Sequence, residues 1–294
     1  MLGGVRQALQ DLAGALVPMS VRDLERELAD RIAKAPLSLN EYGYDPYGFH
    51  PQVAARASLP GALLYKHWFR VETHDIARVP RGRVLLVGNH AGQVPYDGLM
   101  LSMAMLLDAD PPRLCRPMGE YFIAQLPWLS VIAARGGVMS GTPENCAAML
   151  ERGECVMVFP EGARGMNKPF RKRYQLEPFG LGFLRLALET RTPVVPVAIV
   201  GSEEQQPGLA DLRGLARAVG LPSLPITATF PWLGPLGLLV ALPVKYRIYF
   251  GEPLEFDGHP SDEDALMQER VDRVRAQIEA MFRRGLAERA GIFR

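Results

Sequence analysis

A histidine and an aspartate, His90 and Asp97, flank a short loop between two apolar stretches. The preceding run, Val84–Val87, has the composition of a buried strand, and Pro95–Leu107 has that of an apolar helix beginning at proline. In α/β proteins, ligands tend to bind where a strand is followed by a helix. An imidazole oriented by a carboxylate can act there as a general base. A histidine in this position can equally do no more than cap a turn, so this loop alone leaves both interpretations open.

A second polar loop follows another apolar run, Cys155–Phe159. It places Glu161 and Arg164 three residues apart, next to glycines that permit the close approach of a ligand. A guanidinium can hold a phosphate or a carboxylate with two hydrogen bonds, and Lys168 extends the positive charge along the loop. The alternative is a surface turn with an internal Glu–Arg pair and a solvated basic loop.

From Gly82 onward, short apolar runs alternate with helical segments, a pattern typical of a parallel sheet covered by helices. The predicted strands are Val84–Val87, Gly137–Met139, Cys155–Phe159, Val194–Val200 and Val244–Phe250. The predicted helices are Pro95–Leu107, Glu120–Ala134, Pro143–Arg152, Pro178–Thr190 and a long amphipathic helix after Ser261. We therefore predict an α/β fold in which a mostly parallel mixed sheet is flanked by helices.

The composition narrows the class of protein. The 294 residues are 48% hydrophobic, which is ordinary for a globular protein with one large domain. A formal net charge of +1 gives no overall attraction to nucleic acid, so no nucleic-acid partner is predicted. The three cysteines are odd in number and form no C-x-x-C pattern. They are typical of small buried side chains in a reducing compartment, and indicate neither a disulfide framework nor a metal site.

The pattern predicts two parts, an N-terminal helical and aromatic region (residues 1–78) and an α/β domain (residues 79–294). Residues 3–17 place apolar side chains on one helical face, and Ser20 with Asp23 forms a variant capping box that starts a second helix. This amphipathic pair could lie on a membrane surface or pack on the main domain. Its mixed charges and its lack of Trp and Phe favour packing.

An uncharged stretch, residues 218–244, ends in the strongly apolar segment Trp232–Leu242. Repeated prolines interrupt it, and lipid cannot satisfy the backbone carbonyls that they free. We therefore predict a loop that covers an apolar groove or dips into one leaflet, and no bilayer span. The aromatic cluster Tyr65–Phe69 and the N-terminal helical pair are the next candidates for membrane contact. The N-terminus lacks the basic and apolar blocks of a signal peptide.

Taken in order, these motifs resemble the glycerolipid acyltransferase family, which includes bacterial lysophosphatidic acid acyltransferases. The resemblance covers residues 80–255. It begins with a strand, Asn89-His90, Asp97 and a helix. It continues with a strand that ends in Phe-Pro-Glu-Gly-x-Arg at residues 159–164, and then the strand Pro193–Val197. The Phe-Pro-Glu-Gly-x-Arg block is the most specific of these motifs.

The resemblance implies that His90 is the general base, which deprotonates the acceptor hydroxyl for direct attack on an acyl thioester. It implies that Asp97 fixes the tautomer of that imidazole, and that Arg164 binds the acceptor phosphate. The candidate substrate-binding residues are Asn89, Glu161, Gly162, Arg164 and Lys168. No metal and no cofactor is implied, because acyl-CoA or acyl carrier protein serves as a co-substrate.

Three features depart from the family pattern. Six residues separate His90 from Asp97, where the family usually has four, so we expect the extra glycine and proline to form a bulge that returns the aspartate to the imidazole. Ala163 replaces a threonine that is common in the acceptor motif. The segment Gly136–Thr142, where many members carry a second phosphate-binding arginine, has none, although Arg135 precedes it.

Several functions stay open at this point. The first is O-acyl transfer from an acyl thioester to a lysophospholipid, above all 1-acyl-glycerol-3-phosphate. The second is the same chemistry on a neutral acceptor such as mono- or diacylglycerol, and the third is a non-catalytic lipid-binding member of the fold. A serine hydrolase has the least support, because Ser140 lacks the glycine two residues before it. A lipid substrate predicts a membrane surface as partner and a peripheral location on the cytoplasmic side.

Overall fold

A computed structural model of the chain describes residues 21–92, 94–119, 129–135, 137, 139–166, 168–211, 225–227, 229–230, 232–234, 237 and 240–294. Within these residues, a seven-stranded sheet forms the centre of the molecule. Its strands are β1 (Glu72–His74), β2 (Val84–Gly88), β3 (Cys115–Gly119), β4 (Met139–Ser140), β5 (Cys155–Val158), β6 (Val194–Val200) and β9 (Arg247–Phe250). A separate pair consists of β7 (Gly208–Asp211) and β8 (Pro225–Thr227).

The strand order is β1-β9-β6-β2-β5-β3-β4, and each neighbouring pair is parallel except β6 with β9. Strand β2 lies between β5 and β6, so that Leu86 pairs with Met157 on one side and with Val195 on the other. Because these three strands run in the same direction, their carboxyl ends meet at one edge of the sheet. That edge is where ligands bind in open α/β sheets.

Helices cover the sheet. They are α1 (Val21–Lys34), α2 (Pro51–Ala57), α3 (Leu59–Leu63), α4 (Tyr96–Leu107), α5 (Leu129–Arg135), α6 (Pro143–Glu151), α7 (Ala163–Met166), α8 (Gly182–Glu189) and α9 (Asp264–Glu288). A π-helical turn spans Leu64–Trp68, and 3-10 turns span Ile76–Arg78, Phe170–Lys172 and Ser202–Glu204.

Strand β2 is buried on both faces, which explains its uninterrupted apolar sequence. On one face, Leu86 belongs to a core cluster with side chains of α1 and α4, such as Leu28 and Met100. On the other face, Leu85 belongs to a cluster with side chains of α6, α8 and α9, such as Leu184. The site at the end of β2 therefore stands on the best-buried part of the molecule.

The predicted fold class is confirmed, because the sheet is mostly parallel, mixed and flanked by helices. Strand β6 has the predicted limits, and helix α6 begins after Thr142, whose hydroxyl accepts a hydrogen bond from Asn145 N at 3.3 Å. Helix α8 begins four residues later than predicted: Leu181 is its N-cap residue, and Gly180 N before it donates to Pro160 O. Strands β1 and β3 were not predicted.

Helix α1 packs into the core through Leu24 and Leu28, and the Arg31 guanidinium donates to Leu106 O at 2.9 Å. The aromatic cluster Tyr65–Phe69 contributes to the same core, with the rings of Tyr65 and Phe69 buried. Residues 3–17 and Ser20 lie outside the described residues, and the domain boundary at residue 78 stays a prediction. No helix in the described part of the chain is long and apolar enough to cross a bilayer.

Candidate active site

Three connections meet at the carboxyl edge of the sheet. The histidine loop (residues 89–95) follows β2, the acceptor loop (residues 159–181) follows β5, and the β6 turn (residues 201–206) follows β6. Because β5 and β6 flank β2, the histidine loop has one of the other two connections on each side.

The His90 and Asp97 side chains are in direct contact. His90 Nδ1 lies 2.7 Å from Asp97 Oδ2, which also accepts a hydrogen bond from Ala91 N at 2.8 Å, and Gly98 N donates to Asp97 Oδ1 at 2.8 Å. Asp97 is fully buried in the first turn of α4, where the helix dipole favours a negative charge. Because an ionised carboxylate only accepts hydrogen bonds, Nδ1 carries the ring proton and Nε2 carries the lone pair. This is the tautomer that a general base requires.

The aromatic ring of Phe159 fixes the plane of the imidazole. The two rings are stacked, with centroids 4.5 Å apart and an angle of 15° between their planes. A Cβ atom on Gly88 would lie 3.2 Å from the Phe159 ring, and one on Gly98 would lie 3.4 Å from it. The glycines on either side of the histidine loop thus leave room for this ring.

The histidine loop bulges at Gly92, whose φ of +84° is unfavourable for any other residue type. Two glutamine side chains of the β6 turn lie against this bulge. A Cβ atom on Gly92 would collide with Gln205 Nε2, and Val94 N donates to Gln206 Oε1 at 3.3 Å. The left-handed turn at Gly92 lies between His90 and Asp97, and the two side chains still meet.

Asn89 connects the histidine loop to β6. Its amide is fully buried, Oδ1 accepts a hydrogen bond from Ile199 N at 2.8 Å, and Nδ2 donates to Ile199 O and Ser202 Oγ at 3.3 Å. These contacts give the side chain a role in holding the loop on the neighbouring strand. A role in substrate binding stays a prediction.

Glu161 joins the acceptor loop to the histidine loop. Its buried carboxylate accepts hydrogen bonds from His90 N at 3.0 Å and from Glu177 N at 2.8 Å. Lys168 Nζ lies 3.1 Å from Glu161 Oε2, and the Lys168 side chain is only 3% exposed. The two residues therefore stabilise the backbone of the site, and their contact with substrate stays a prediction.

Arg164 is exposed on the same loop. One guanidinium nitrogen donates to Pro178 O at 2.8 Å, and no other hydrogen bond joins the planar fork to the described residues, so it can accept an anionic ligand. Gly162 permits the turn before it with a φ of +55°, and no atom outside its own chain neighbours lies within 4 Å of the position of its missing Cβ. This part of the acceptor loop is thus open to a ligand, whereas the part around Glu161 is closed.

The β6 turn was not predicted from the sequence. Its polar residues Ser202, Glu203, Glu204, Gln205 and Gln206 are all buried and contact the other two connections or the C-terminal helix. Glu203 lies 3.3 Å from Lys168 Nζ. The available signal was a run of five polar residues soon after a seven-residue apolar strand whose carboxyl end faces the site.

The His–Asp pair follows β2, and the Phe-Pro-Glu-Gly-x-Arg loop follows β5, the neighbour of β2 in the sheet. A sequence profile described as "Acyltransferase" matches residues 70–200, which contain both loops. Residues 70–200 therefore carry an acyltransferase domain, in agreement with the resemblance that the motifs predicted.

Relatives of the chain range from close to distant. An uncharacterised protein of Mycobacterium tuberculosis is 40% identical over 259 residues, which are 86% of this chain and 72% of that protein. A chicken protein named "DGAT1/2-independent enzyme synthesizing storage lipids" is 24% identical over 220 residues, 73% of this chain and 59% of that protein. The solved structure of the 1-acyl-sn-glycerophosphate (LPA) acyltransferase PlsC from Thermotoga maritima is 19% identical, with a TM-score of 0.49 over 78% of this chain and 80% of that one.

Proposed function

We propose that this protein transfers a fatty acyl group from an acyl thioester to a glycerolipid hydroxyl, with His90 as the general base. The observation that carries the proposal is the 2.7 Å contact between His90 Nδ1 and the buried Asp97 carboxylate, at the carboxyl end of the central strand. A non-catalytic member of the fold has no need of such a pair. The contact therefore favours catalysis over a purely lipid-binding role.

The proposed reaction needs no acyl-enzyme. His90 Nε2 takes the proton of the acceptor hydroxyl while the hydroxyl oxygen attacks the thioester carbonyl carbon. Asp97 stabilises the imidazolium that forms, and the C–S bond breaks as the thiolate leaves and recovers the proton from His90. The products are the new ester and the free thiol of CoA or acyl carrier protein. A base positioned in this way contributes about 10²–10⁴ in rate.

A lysophospholipid such as 1-acyl-glycerol-3-phosphate is the first candidate acceptor. The exposed Arg164 guanidinium supports it, because a guanidinium can bind a phosphate with two parallel hydrogen bonds. Arg164 and His90 lie on adjacent connections, so a short headgroup could reach both. The phosphate would then orient the acceptor hydroxyl toward the base.

A neutral acceptor such as mono- or diacylglycerol is the second candidate. It is favoured because two lysines of the acceptor loop are paired with carboxylates of the protein and so are less available to a phosphate. Lys168 is buried between two carboxylates, and Lys172 Nζ lies 3.6 Å from Glu177. Arg135 ends α5, and the strand that follows it, β4, is three places from β2 in the sheet. The chicken relative is named for the synthesis of storage lipids.

The test is a thioester-consumption assay with acyl-CoA and acyl carrier protein as donors. Lysophosphatidic acid, other lysophospholipids, monoacylglycerol and diacylglycerol serve as acceptors. Acceptor-dependent release of thiol that is abolished in His90→Ala, with an unchanged thermal midpoint, supports acyl transfer, and the preferred acceptor decides between the two candidates. Activity of His90→Ala at the wild-type level contradicts the role of the base. Lipid binding without thiol release would indicate the non-catalytic alternative.

We also propose that the protein attaches peripherally to a membrane on its cytoplasmic side. Trp232 is 75% exposed and Leu233 is 55% exposed, within the apolar segment, and Trp is favoured at membrane–water interfaces. The double variant Trp232→Ser/Leu233→Ser should reduce co-sedimentation with phospholipid vesicles. Tyr42→Ser removes an equally exposed aromatic side chain elsewhere and is the matched control. Equal sedimentation of all three proteins would contradict attachment through this segment.

A further inference from the structure

Three buried charges link the acceptor loop to the β6 turn behind the base. Lys168 Nζ lies 3.1 Å from Glu161 Oε2 and 3.3 Å from Glu203 Oε1, and the side chains of all three residues are almost fully buried. At its other end, the Glu161 carboxylate accepts the hydrogen bond from His90 N. A continuous chain of polar contacts therefore runs from Glu203 to the main chain of the base.

Both ends of this chain are anchored. Glu203 Oε2 accepts a hydrogen bond from Tyr174 N at 2.8 Å, which ties the carboxylate to the far side of the acceptor loop. Ser202 contacts Asn89, so the β6 turn is also attached to the histidine loop. A change in the position of Lys168 must therefore be taken up by Glu161, which is the group in contact with His90.

The charges do not cancel. Two carboxylates share one ammonium group, so the buried cluster carries a net negative charge when all three groups are ionised. Burial and, to a smaller extent, the neighbouring Glu161 raise the pKa of Glu203 to about 7, against the opposing effects of Lys168 and the Tyr174 N–H. Glu203 thus gains or loses its charge near neutral pH, and with it the attraction that holds Lys168.

Resting on the acyl transfer proposed above, we propose that Glu203 is a positioning residue, which acts through Lys168 and Glu161 to fix the main chain of His90. When Glu203 is ionised, Lys168 is held between the two carboxylates and Glu161 stays against His90 N. When Glu203 is protonated, Lys168 is attracted to Glu161 alone and the link to the β6 turn weakens. The ionised cluster is therefore the more active one.

The adjacent Glu204 provides an internal control. It is also buried on the β6 turn, but its carboxylate faces the C-terminal helix, with Arg289 Nη2 at 2.9 Å and the Tyr174 hydroxyl at 2.9 Å. Among the described contacts, Glu204 touches neither Lys168 nor Glu161 directly; it is linked to Glu203 through Tyr174, whose hydroxyl donates to Glu204 and whose main-chain N–H donates to Glu203. The substitutions Glu203→Gln and Glu204→Gln thus remove one charge each from neighbouring positions, and only one of them interrupts the chain to His90.

The first experiment measures kcat between pH 6 and 8.5 with saturating acyl-CoA and acceptor. For Glu203→Gln, the ratio of wild-type to variant kcat should rise through pH 7 and reach about tenfold at high pH, the scale expected when a reacting group is displaced by a fraction of an ångström. For Glu204→Gln, the ratio should be independent of pH. A ratio that is equally flat for both variants would overturn the proposal.

The second experiment needs no catalysis. The amide resonance of His90 reports its hydrogen bond to Glu161, and its pH dependence is followed by NMR in wild type and both variants. We expect the chemical shift of this amide to change with a midpoint near pH 7 in the wild type. This component of the titration should be lost in Glu203→Gln and kept in Glu204→Gln. If the wild type consumes no thioester but this component behaves as expected, acyl transfer fails and the link to His90 stands. If the component survives in Glu203→Gln, the link itself is wrong.

Discussion

The histidine loop and the acceptor loop lie side by side, yet they present their functional groups in opposite ways. His90 and Asp97 are buried, and the Asp97 carboxylate has hydrogen-bond donors on both oxygens. Arg164, on the neighbouring loop, is exposed, and its one hydrogen bond to a described residue is to Pro178 O. One loop is therefore fixed before substrate arrives, and the other keeps a charged group available to it.

This difference matches the chemistry that each loop is proposed to perform. Proton transfer requires one tautomer and one ring orientation, which burial and fixed partners provide. Recognition of a headgroup requires a charged donor with unused hydrogen-bonding capacity, which burial would remove. Substitutions in the histidine loop should therefore lower kcat, and substitution of Arg164 in the acceptor loop should raise KM for the acceptor.

The largest effect is expected for Asp97→Asn. The amide has nearly the same shape but can donate a hydrogen bond to Nδ1, which favours the tautomer whose Nε2 carries the proton and cannot act as a base. We expect kcat in the thioester assay to fall by about 10²–10⁴ with little change in KM for the acceptor. Activity of Asp97→Asn close to that of wild type would show that the carboxylate does not set the tautomer.

A smaller effect, on KM instead of kcat, is expected for Arg164→Ala. A charge-assisted hydrogen bond contributes about 1.5–3 kcal/mol, so KM for a lysophospholipid should rise by roughly 10–100-fold while kcat changes little. The KM for monoacylglycerol should be the same in this variant as in the wild type, because that acceptor has no phosphate. Steady-state kinetics on the two acceptors check this directly. Equal increases in KM for both would contradict a phosphate contact.

The boundary between the two loops can be tested at Gly165. A Cβ atom there would lie 2.8 Å from both Glu161 Cβ and His90 O, so Gly165→Ala must push the loops apart. Overpacking of this kind costs about 1–3 kcal/mol, and kcat should fall together with the thermal midpoint. The control is Gly182→Ala, because in the described part of the chain no atom other than those of its chain neighbours and its own helix backbone lies within 4 Å of that Cβ position. Unchanged activity in Gly165→Ala would mean that the loops are not tightly coupled.

The comparison also shows which features the sequence could predict. Strand β6 was predicted with its observed limits because all seven of its residues are apolar and buried. Strand β3 was missed because Arg116 and Pro117 interrupt its apolar pattern. Arg116 is nevertheless buried, with Glu154 Oε2 at 2.8 Å and Asp45 as partners, and these lie 38 and 71 residues away in sequence. A buried charge whose partners are so distant carries no local signal.

The same distinction applies within the site. The nearness of His90 and Asp97 was expected because both belong to one motif. Glu203 was not considered, because its partner Lys168 is 35 residues away and only the parallel order of β5, β2 and β6 brings them together. Local motifs thus predicted that His90 and Asp97 lie together, whereas the contacts that hold them in place depend on the topology of the sheet.

The smallest effect concerns stability at the junction of the two loops. The pKa of Glu203 is raised from 4.5 to about 7, so the folded protein binds a proton there more tightly than the unfolded chain does. This stabilisation is complete below pH 4.5 and is lost as the pH rises through 7. Between pH 5 and 8, the free energy of unfolding of the wild type should therefore fall by about 2 kcal/mol relative to that of Glu203→Gln. Urea unfolding at the two pH values measures this, with Glu204→Gln as the control.

A variant that is more stable at pH 8 yet less active there would separate positioning from folding, because damage to the fold lowers both quantities together. A difference that does not change with pH would mean that Glu203 keeps one protonation state across this range.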